Sequence, residues 1–165
     1  NNYIGALLGS PPALPAQVNA TIPTSNQIAG TAAGALQAFN INPTGNFSFS
    51  QASQGGFGLV ASSGANEWRI TANHKFPLAI NNTFNCQRPD TNSNRHVTMS
   101  LTVGSNTYLS TEGGRCQITL TNVTFDAVSG NVTSLEGRFV AEMRTFKRNL
   151  PPLLVNDGVF RWVKP

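Results

Sequence analysis

Charged residues are scarce in this chain of 165 residues: 11% are Asp, Glu, Lys or Arg, against about 25% in an average soluble protein. A coiled coil, a solvated helical bundle and a charged tail all need more charge, so the composition excludes them. Asparagine, serine, threonine and glycine fill the gap. The length suits one domain that buries its own core, and is short for two.

Long apolar runs are missing as well. No stretch approaches the roughly 18 apolar residues of a transmembrane helix, so we expect no membrane-spanning segment. The sequence begins Asn1-Asn2 and shows no charged region followed by an apolar signal sequence. We therefore expect a mature exported protein whose signal peptide has been removed, located in the periplasm, at the cell surface or in the medium.

Cysteine is limited to Cys86 and Cys116. In an exported protein an even count predicts a disulfide, and the alternative is a pair of buried thiols in a cytosolic protein. If Cys116 points inward beside Ile118, the bridge would pin the loop over residues 81–89 to a strand. No CxxC or paired-histidine spacing accompanies the cysteines, so we predict no metal site and no cofactor.

The positive charge is mild, with 11 basic against 7 acidic residues and a net charge of +4. Nucleic-acid-binding proteins concentrate basic residues in runs interleaved with aromatics, and this chain does not. We therefore expect no nucleic-acid partner. The charge serves solubility first and a bias towards acidic partners second.

Residues 1–24 are predicted to form an N-terminal arm, and residues 25–165 a single domain. The arm carries four prolines, which favour extended backbone, and it serves either as a tether or as a segment lying across the domain. Over residues 25–39 we predict one short helix, because Thr24 and Gln27 have capping-box spacing and apolar residues recur at helical intervals. The same stretch also fits a strand that begins at Leu36.

From residue 40 onward, apolar and polar residues alternate in short runs separated by turn residues. Such alternation is typical of antiparallel sheets with one buried face, and predicts an all-β fold of about eight strands. The architecture is either a β-sandwich or a flattened barrel. The predicted inward positions are Phe57, Leu59, Ala61, Trp68, Ile70, Val97, Met99, Leu101, Val103, Cys116, Ile118, Leu120, Val123, Phe125, Phe139, Ala141, Met143, Phe160 and Trp162. Phe47 and Phe49 alternate with polar residues in the same way.

Residues 100–163 follow a characteristic series of strands and glycine turns. A tyrosine strand and a Gly-rich turn lead into an Ile-Thr strand, a Gly-x-Phe strand and a final Val-x-Asp-Gly-x-Phe strand. This series resembles small exported bacterial β-domains, often lipoprotein-anchored, whose function is not established. The resemblance implies an all-β fold and export, and it brings no catalytic residues. The segments that carry it are 108–114, 116–120, 132–139 and 155–160.

Two glycines of this series have a physical interpretation of their own. Asp157-Gly158 precedes a strand and suits a turn that needs a positive φ. Gly137 marks either a bulge or a close backbone approach.

Catalytic constellations are not evident. Seven carboxylates are present, but most fall in predicted turns or beside arginines, and a glycosidase needs two across a cleft. His74 and His96 lie at predicted strand ends and are interpreted as surface residues, although with Asp90 they could supply three metal ligands. No Gly-x-Ser-x-Gly elbow is present. We therefore predict that the protein is not an enzyme.

Two surface features are candidates for binding. Arginine suits carboxylates, phosphates and sulfated sugars, and four arginines are predicted to share one exposed face with Glu142: Arg138, Arg144, Arg148 and Arg161. A solvated basic stripe is the alternative. The following loop, made of Leu150, Pro151, Pro152, Leu153 and Leu154, either closes one end of the core or presents an apolar contact to a partner.

These features favour an exported, non-enzymatic binding module of the bacterial envelope or extracellular space, with a protein or glycan as partner. An enzyme inhibitor or immunity protein is one alternative, with the loop over 81–96 or 149–157 entering an enzyme cleft. A fimbrial or assembly subunit that donates its N-terminal arm as a strand is another.

Overall fold

A computed structural model describes residues 14–41, 56–73, 78–86, 96–147 and 149–165. These parts contain ten strands and no helix. The all-β prediction is confirmed, with two strands more than the alternation predicted. In chain order the strands β1 to β10 are Gln27–Ala32, Ala35–Ile41, Gly56–Ser63, Asn66–Asn73, Thr83–Asn85, His96–Val103, Asn106–Leu109, Arg115–Phe125, Val132–Met143 and Leu153–Val163.

All ten strands belong to one antiparallel sheet with the order β5-β8-β9-β10-β1-β2-β3-β4-β6-β7. The sheet curls into a half-barrel. Of the two predicted architectures, the flattened barrel is therefore the nearer one. The first and last strands, β1 and β10, pair near the middle of the sheet, which ties the two ends of the domain together.

The curl is drawn together at one end by a contact between β7 and the end of β9. Leu109 and Arg144 exchange two backbone hydrogen bonds, with N–O distances of 2.7 and 3.0 Å. The next residue, Ser110, is buried, and its hydroxyl accepts a hydrogen bond from the Met99 amide at 2.9 Å. The edge strand β7 therefore also contacts the end of β9, and we call this contact between Leu109 and Arg144 the seam.

The predicted helix over 25–39 is wrong, because this stretch forms the β1–β2 hairpin. Its two-residue turn has positive φ at both positions, 51° at Ala33 and 77° at Gly34, as a type I′ hairpin requires. Residues four apart share a face in a strand as well as in a helix, so Ile28 and Ala32 suit both. Leu36 decides between them: it is 68% exposed, whereas the helix would have buried it.

The alternation on the other strands gives one continuous core inside the curl. Of the nineteen inward positions predicted on these strands, sixteen are buried. Val103 and Val123 are half-buried against the core, and Phe125 is 54% exposed, so the prediction is wrong there. Phe47 and Phe49 fall outside the described residues. Aromatic rings occupy the centre: Trp68 meets Phe139 edge-on at 5.4 Å between centroids, and Phe57 stacks on Phe160 at 6.2 Å. Burial of these large side chains is the main favourable contribution to folding.

Two glycines face two phenylalanines across the β9–β10 pair. In the strand register, Gly137 lies opposite Phe160 and Gly158 opposite Phe139. A Cβ atom at either glycine would overlap the facing ring. Gly137 is thus a close approach, one of its two predicted roles. The turn predicted at Asp157-Gly158 is wrong: Gly158 lies within β10, after a bulge, and is not among the positive-φ glycines.

The predicted disulfide joins Cys86 and Cys116. Cys116 is buried on β8, and Cys86 directly follows the short edge strand β5, whose chain it holds against β8. The two cysteines are 30 positions apart in the sequence, for which the chain-entropy model gives a stabilisation of about 3 to 4 kcal/mol. In the described residues no helix is long and apolar enough to cross a membrane.

We predict that Gly137→Ala lowers the free energy of unfolding by about 1 to 3 kcal/mol, the usual cost of overpacking a core. The added methyl group must push against the Phe160 ring and the Thr119 carbonyl. Urea unfolding measures the change. In the double variant with Phe160→Leu, the loss should be smaller than the sum of the two single losses. Strict additivity would contradict the close packing of this pair.

Candidate functional site

Three of the four predicted arginines lie on one side of the sheet, the outer face turned away from the core. Arg138 lies on β9 between the inward residues Gly137 and Phe139, and Arg144 directly follows β9. Arg161 lies on β10 between the inward residues Phe160 and Trp162. Arg148 falls outside the described residues.

Each of these three arginines has a partner within the protein. Arg144 Nη2 lies 2.7 Å from Glu142 Oε1, and Arg161 Nη1 lies 3.5 Å from Glu136 Oε1. Arg138 Nε donates a hydrogen bond to the Ala20 carbonyl at 3.0 Å. The outer face therefore alternates basic and acidic groups.

The N-terminal arm meets the outer face near its middle. In addition to the Ala20–Arg138 contact, the Val18 amide donates to the Asn156 carbonyl at 2.9 Å. Val140 and Val159 point to the outer side of the sheet and yet are only 3% and 5% exposed, as expected beneath a covering segment. The arm thus separates two accessible regions, one near the seam and one at the opposite end of β9.

Near the seam, one carboxylate holds two arginines. Glu142, whose side chain is 12% exposed, lies 2.7 Å from Arg115 Nη2 and 2.7 Å from Arg144 Nη2. The hydrogen bond from Arg115, followed by that from Arg144, holds the pKa of this carboxyl below its ordinary value. The cluster links the start of β8 to the end of β9, which suits a structural role.

The predicted contact loop is divided between core and surface. Leu153 begins β10 and is buried in the core, whereas Leu154 points outward and is 55% exposed. Leu150 is half-buried, and Pro151 and Pro152 are exposed. Leu153 thus helps to close the core, and Leu154 is exposed; contact of this loop with a partner stays a prediction.

At the opposite end of the outer face, β8, β9 and β10 form a solvent-open groove of about 470 Å³. We call it the outer-face groove. Val163, Lys164 and Pro165 contribute to its lining. Its other side chains are polar and come from three neighbouring strands: Asn122, Thr124, Thr133, Ser134, Glu136 and Arg161.

The strand register arranges the groove in two rows. Asn122, Glu136 and Arg161 are paired across the three strands and form the first row. In the second row, Thr124 lies opposite Ser134, which lies opposite Val163. Strand spacings make this floor about 10 Å wide, with the rows about 7 Å apart.

The hydroxyl groups at the second row are hydrogen-bonded to one another. Thr124 Oγ1 lies 2.6 Å from Ser134 Oγ and 2.8 Å from Thr133 Oγ1. Thr133 and Ser134 are consecutive and would normally face opposite sides, but the register shift at Thr124/Phe125 brings both to the groove. Of the predicted binding residues, the groove contains Arg161 alone.

The residues predicted as possible metal ligands do not form a cluster in the described parts of the chain. Within the described parts of the chain, no three His, Cys, Asp or Glu side chains are placed to hold a metal ion. His96 begins β6, and His74 and Asp90 fall outside the described residues. Glu136 is the single acidic side chain among the described residues lining the groove, and Arg161 is its partner.

Comparisons with known proteins give no relative: no protein-family model, curated protein or solved structure matches this chain. The assignment of a function therefore rests on the geometry of the outer face.

We predict that Glu142→Gln lowers the free energy of unfolding at neutral pH. In the acidic range, this free energy should fall less steeply with decreasing pH than in the unchanged protein. A carboxyl whose pKa is lowered by folding stabilises the protein above its ordinary pKa, 4.5 for glutamate, and this contribution is lost as the pH falls through the lowered value. Urea unfolding between neutral and acidic pH measures it.

The control for that experiment is Glu67→Gln, which removes a carboxylate paired with Arg69 on β4, where the arginine is mostly exposed. Its effect on stability should be small, since exposed ion pairs contribute little. An acid profile of Glu142→Gln that runs parallel to that of the unchanged protein would contradict the assignment.

Proposed function

We propose that this protein is an exported, non-enzymatic binding module of the bacterial envelope or extracellular space, and that its glycan or protein ligand binds in the outer-face groove. Export is supported by the Cys86–Cys116 disulfide, since such bonds persist mainly in oxidising compartments. The observation that carries the binding function is the groove itself, whose polar side chains converge from three adjacent strands.

Rigid support favours the groove as a binding site. Its lining residues lie mainly on β8, β9 and β10, the longest strands of the sheet, and β8 is also held by the disulfide. The ion pair between Glu136 and Arg161 and the contacts among the three hydroxyls order these side chains before a ligand arrives. Such preorganisation lowers the entropic cost of binding. The volume also falls within the usual range for ligand sites, about 300 to 1,000 Å³.

The filled interior supports an external site. Packed aromatic and aliphatic side chains occupy the inside of the curl, so a ligand meets polar groups on the outer face. A non-enzymatic role is supported by the number of carboxyl groups in the groove. Hydrolysis of a glycosidic bond generally uses two, and Glu136 is one. The described lining residues supply one acidic side chain, and Arg161 is bound to it.

The assembly alternative receives less support than binding in the groove. Val18 and Ala20 of the N-terminal arm are hydrogen-bonded to the arm's own domain, at Asn156 and Arg138. Donation of this segment to another subunit would break both contacts. We therefore place the ligand in the groove and treat the described part of the arm as a cover for the middle of the outer face.

The test is capture from the envelope and culture medium of the native host by the immobilised full chain, with bound proteins and glycans identified by mass spectrometry. We expect the protein to retain a ligand that is recovered with unchanged mass. Arg161→Glu, which places a second negative charge beside Glu136, should reduce retention at least about tenfold, as expected for a lost charge-assisted contact.

Arg144→Glu is the matched control, since it is the same charge reversal beside Glu142 near the seam, and it should retain the ligand. Asn122→Ala provides a second groove variant that changes no charge, and thermal unfolding checks that each variant is folded. Retention that survives both groove variants, absence of any retained ligand, or recovery of a cleaved ligand would each contradict the proposal.

A further inference from the structure

We infer that the outer-face groove recognises a neutral saccharide, bound as an internal unit of a longer chain. The inference rests on the proposed function, because it takes the groove to be the binding site. It adds the ligand's chemical class, for which the ion pair, the hydrogen-bonding groups and the open shape of the groove provide three separate arguments.

An ion pair occupies the centre of the groove. Arg161 is paired with Glu136 at 3.5 Å, and Glu136 lies in the middle of the first row, between Asn122 and Arg161. Lys164 adds one basic group at the edge of the groove. A polyanion lying across the first row would meet the Glu136 carboxylate, and the Arg161 guanidinium already has a partner there.

The polar side chains offer donors and acceptors in mixture. The Asn122 amide provides both, each hydroxyl of Thr124, Thr133 and Ser134 can act as either, Glu136 accepts, and Arg161 donates. Sugar hydroxyls have the same dual character. In the first row an amide, a carboxylate and a guanidinium lie side by side, so neighbouring hydroxyls of one ring can meet an acceptor and a donor together.

Apolar contact comes from the end of β10 and the residues that follow it. Val163 lies in the second row beside Ser134, and Pro165 also lines the groove. Both offer aliphatic surface to the C–H groups of a sugar ring. Because the groove is open to solvent and lies along the sheet surface, it does not enclose a chain end. An internal unit of a polysaccharide can therefore lie in it while the flanking units remain in solvent.

The test uses the full chain on an array of immobilised neutral oligosaccharides, namely glucan, mannan, galactan and N-acetylglucosamine series, together with the acidic polymers polygalacturonate and heparin. We expect binding to at least one neutral series that changes less than about twofold between about 0.05 and about 0.5 M NaCl, because a neutral ligand carries no charge whose attraction salt could screen. Longer oligomers should bind at least as tightly as short ones.

Two groove variants and one control complete the design. Glu136→Ala and Asn122→Ala should each weaken binding at least about tenfold, since each removes a hydrogen-bonding partner of the ligand. Arg69→Gln, which breaks an exposed ion pair on β4, should leave binding unchanged. Thermal unfolding verifies the fold of all three.

The alternative outcomes separate the two proposals. Binding confined to the acidic polymers, with a steep loss at high salt, would overturn the neutral-saccharide inference. The inference would also be overturned if no oligosaccharide on the array is bound while host material is still captured and this capture is lost in Arg161→Glu. That result would leave the proposed binding function standing. Silence on the array together with no capture would overturn both proposals.

Discussion

Phe139 and Phe160 each lie over a glycine of the neighbouring strand, and the rest of the molecule depends on this reciprocal packing. Gly158 and Gly137 leave the space that the two rings fill, so β9 and β10 carry large aromatics at adjacent inward positions without forcing the strands apart. Trp68 packs on one ring and Phe57 on the other. Four strands are thereby joined around one aromatic centre, and the sheet curls about it.

A filled interior has a consequence for function. Barrels that bind ligands internally leave a cavity between their strands, whereas small barrels are filled by side chains. Here side chains occupy the inside, and the groups suited to recognition lie on the outer face of β8, β9 and β10. The N-terminal arm covers the middle of that face, near Arg138. We therefore propose recognition at the groove, where two register shifts on the β8–β9 pair bring amide, hydroxyl and carboxylate groups together.

The parts of this account that were predictable from sequence are those set by period-two alternation and by cysteine chemistry. Val97, Met99 and Leu101 face inward because successive strand residues point to opposite sides, and any antiparallel arrangement would keep them there. The two cysteines had one possible intramolecular pairing. Arg138, Arg144 and Arg161 were placed on one face by the same alternation.

The predictions that were wrong concern features set by contacts between residues far apart in the sequence. Residues 25–39 form a hairpin around Ala33-Gly34 although their apolar spacing also fits a helix. The strand is favoured because Ile28 is buried in the core when β1 pairs with β10. Gly158 suggested a turn, since the Phe139 ring that needs its space is 19 positions away. The groove could not be predicted from the sequence, because it depends on β-bulges and the alternation of apolar residues does not reveal where bulges occur. Its one signal was the run of Asn, Thr and Ser at outward positions from Asn122 to Ser134.

The most direct test of the central claim, an interior filled by rings packed on glycines, is the NMR chemical shift of the glycine α protons. Protons over the face of an aromatic ring are shifted upfield by its ring current. We predict such upfield shifts for Gly137 and Gly158, with nuclear Overhauser contacts to Phe160 and Phe139 respectively. Shifts like those of the turn glycines Gly64 and Gly104, with no contact to either ring, would contradict it.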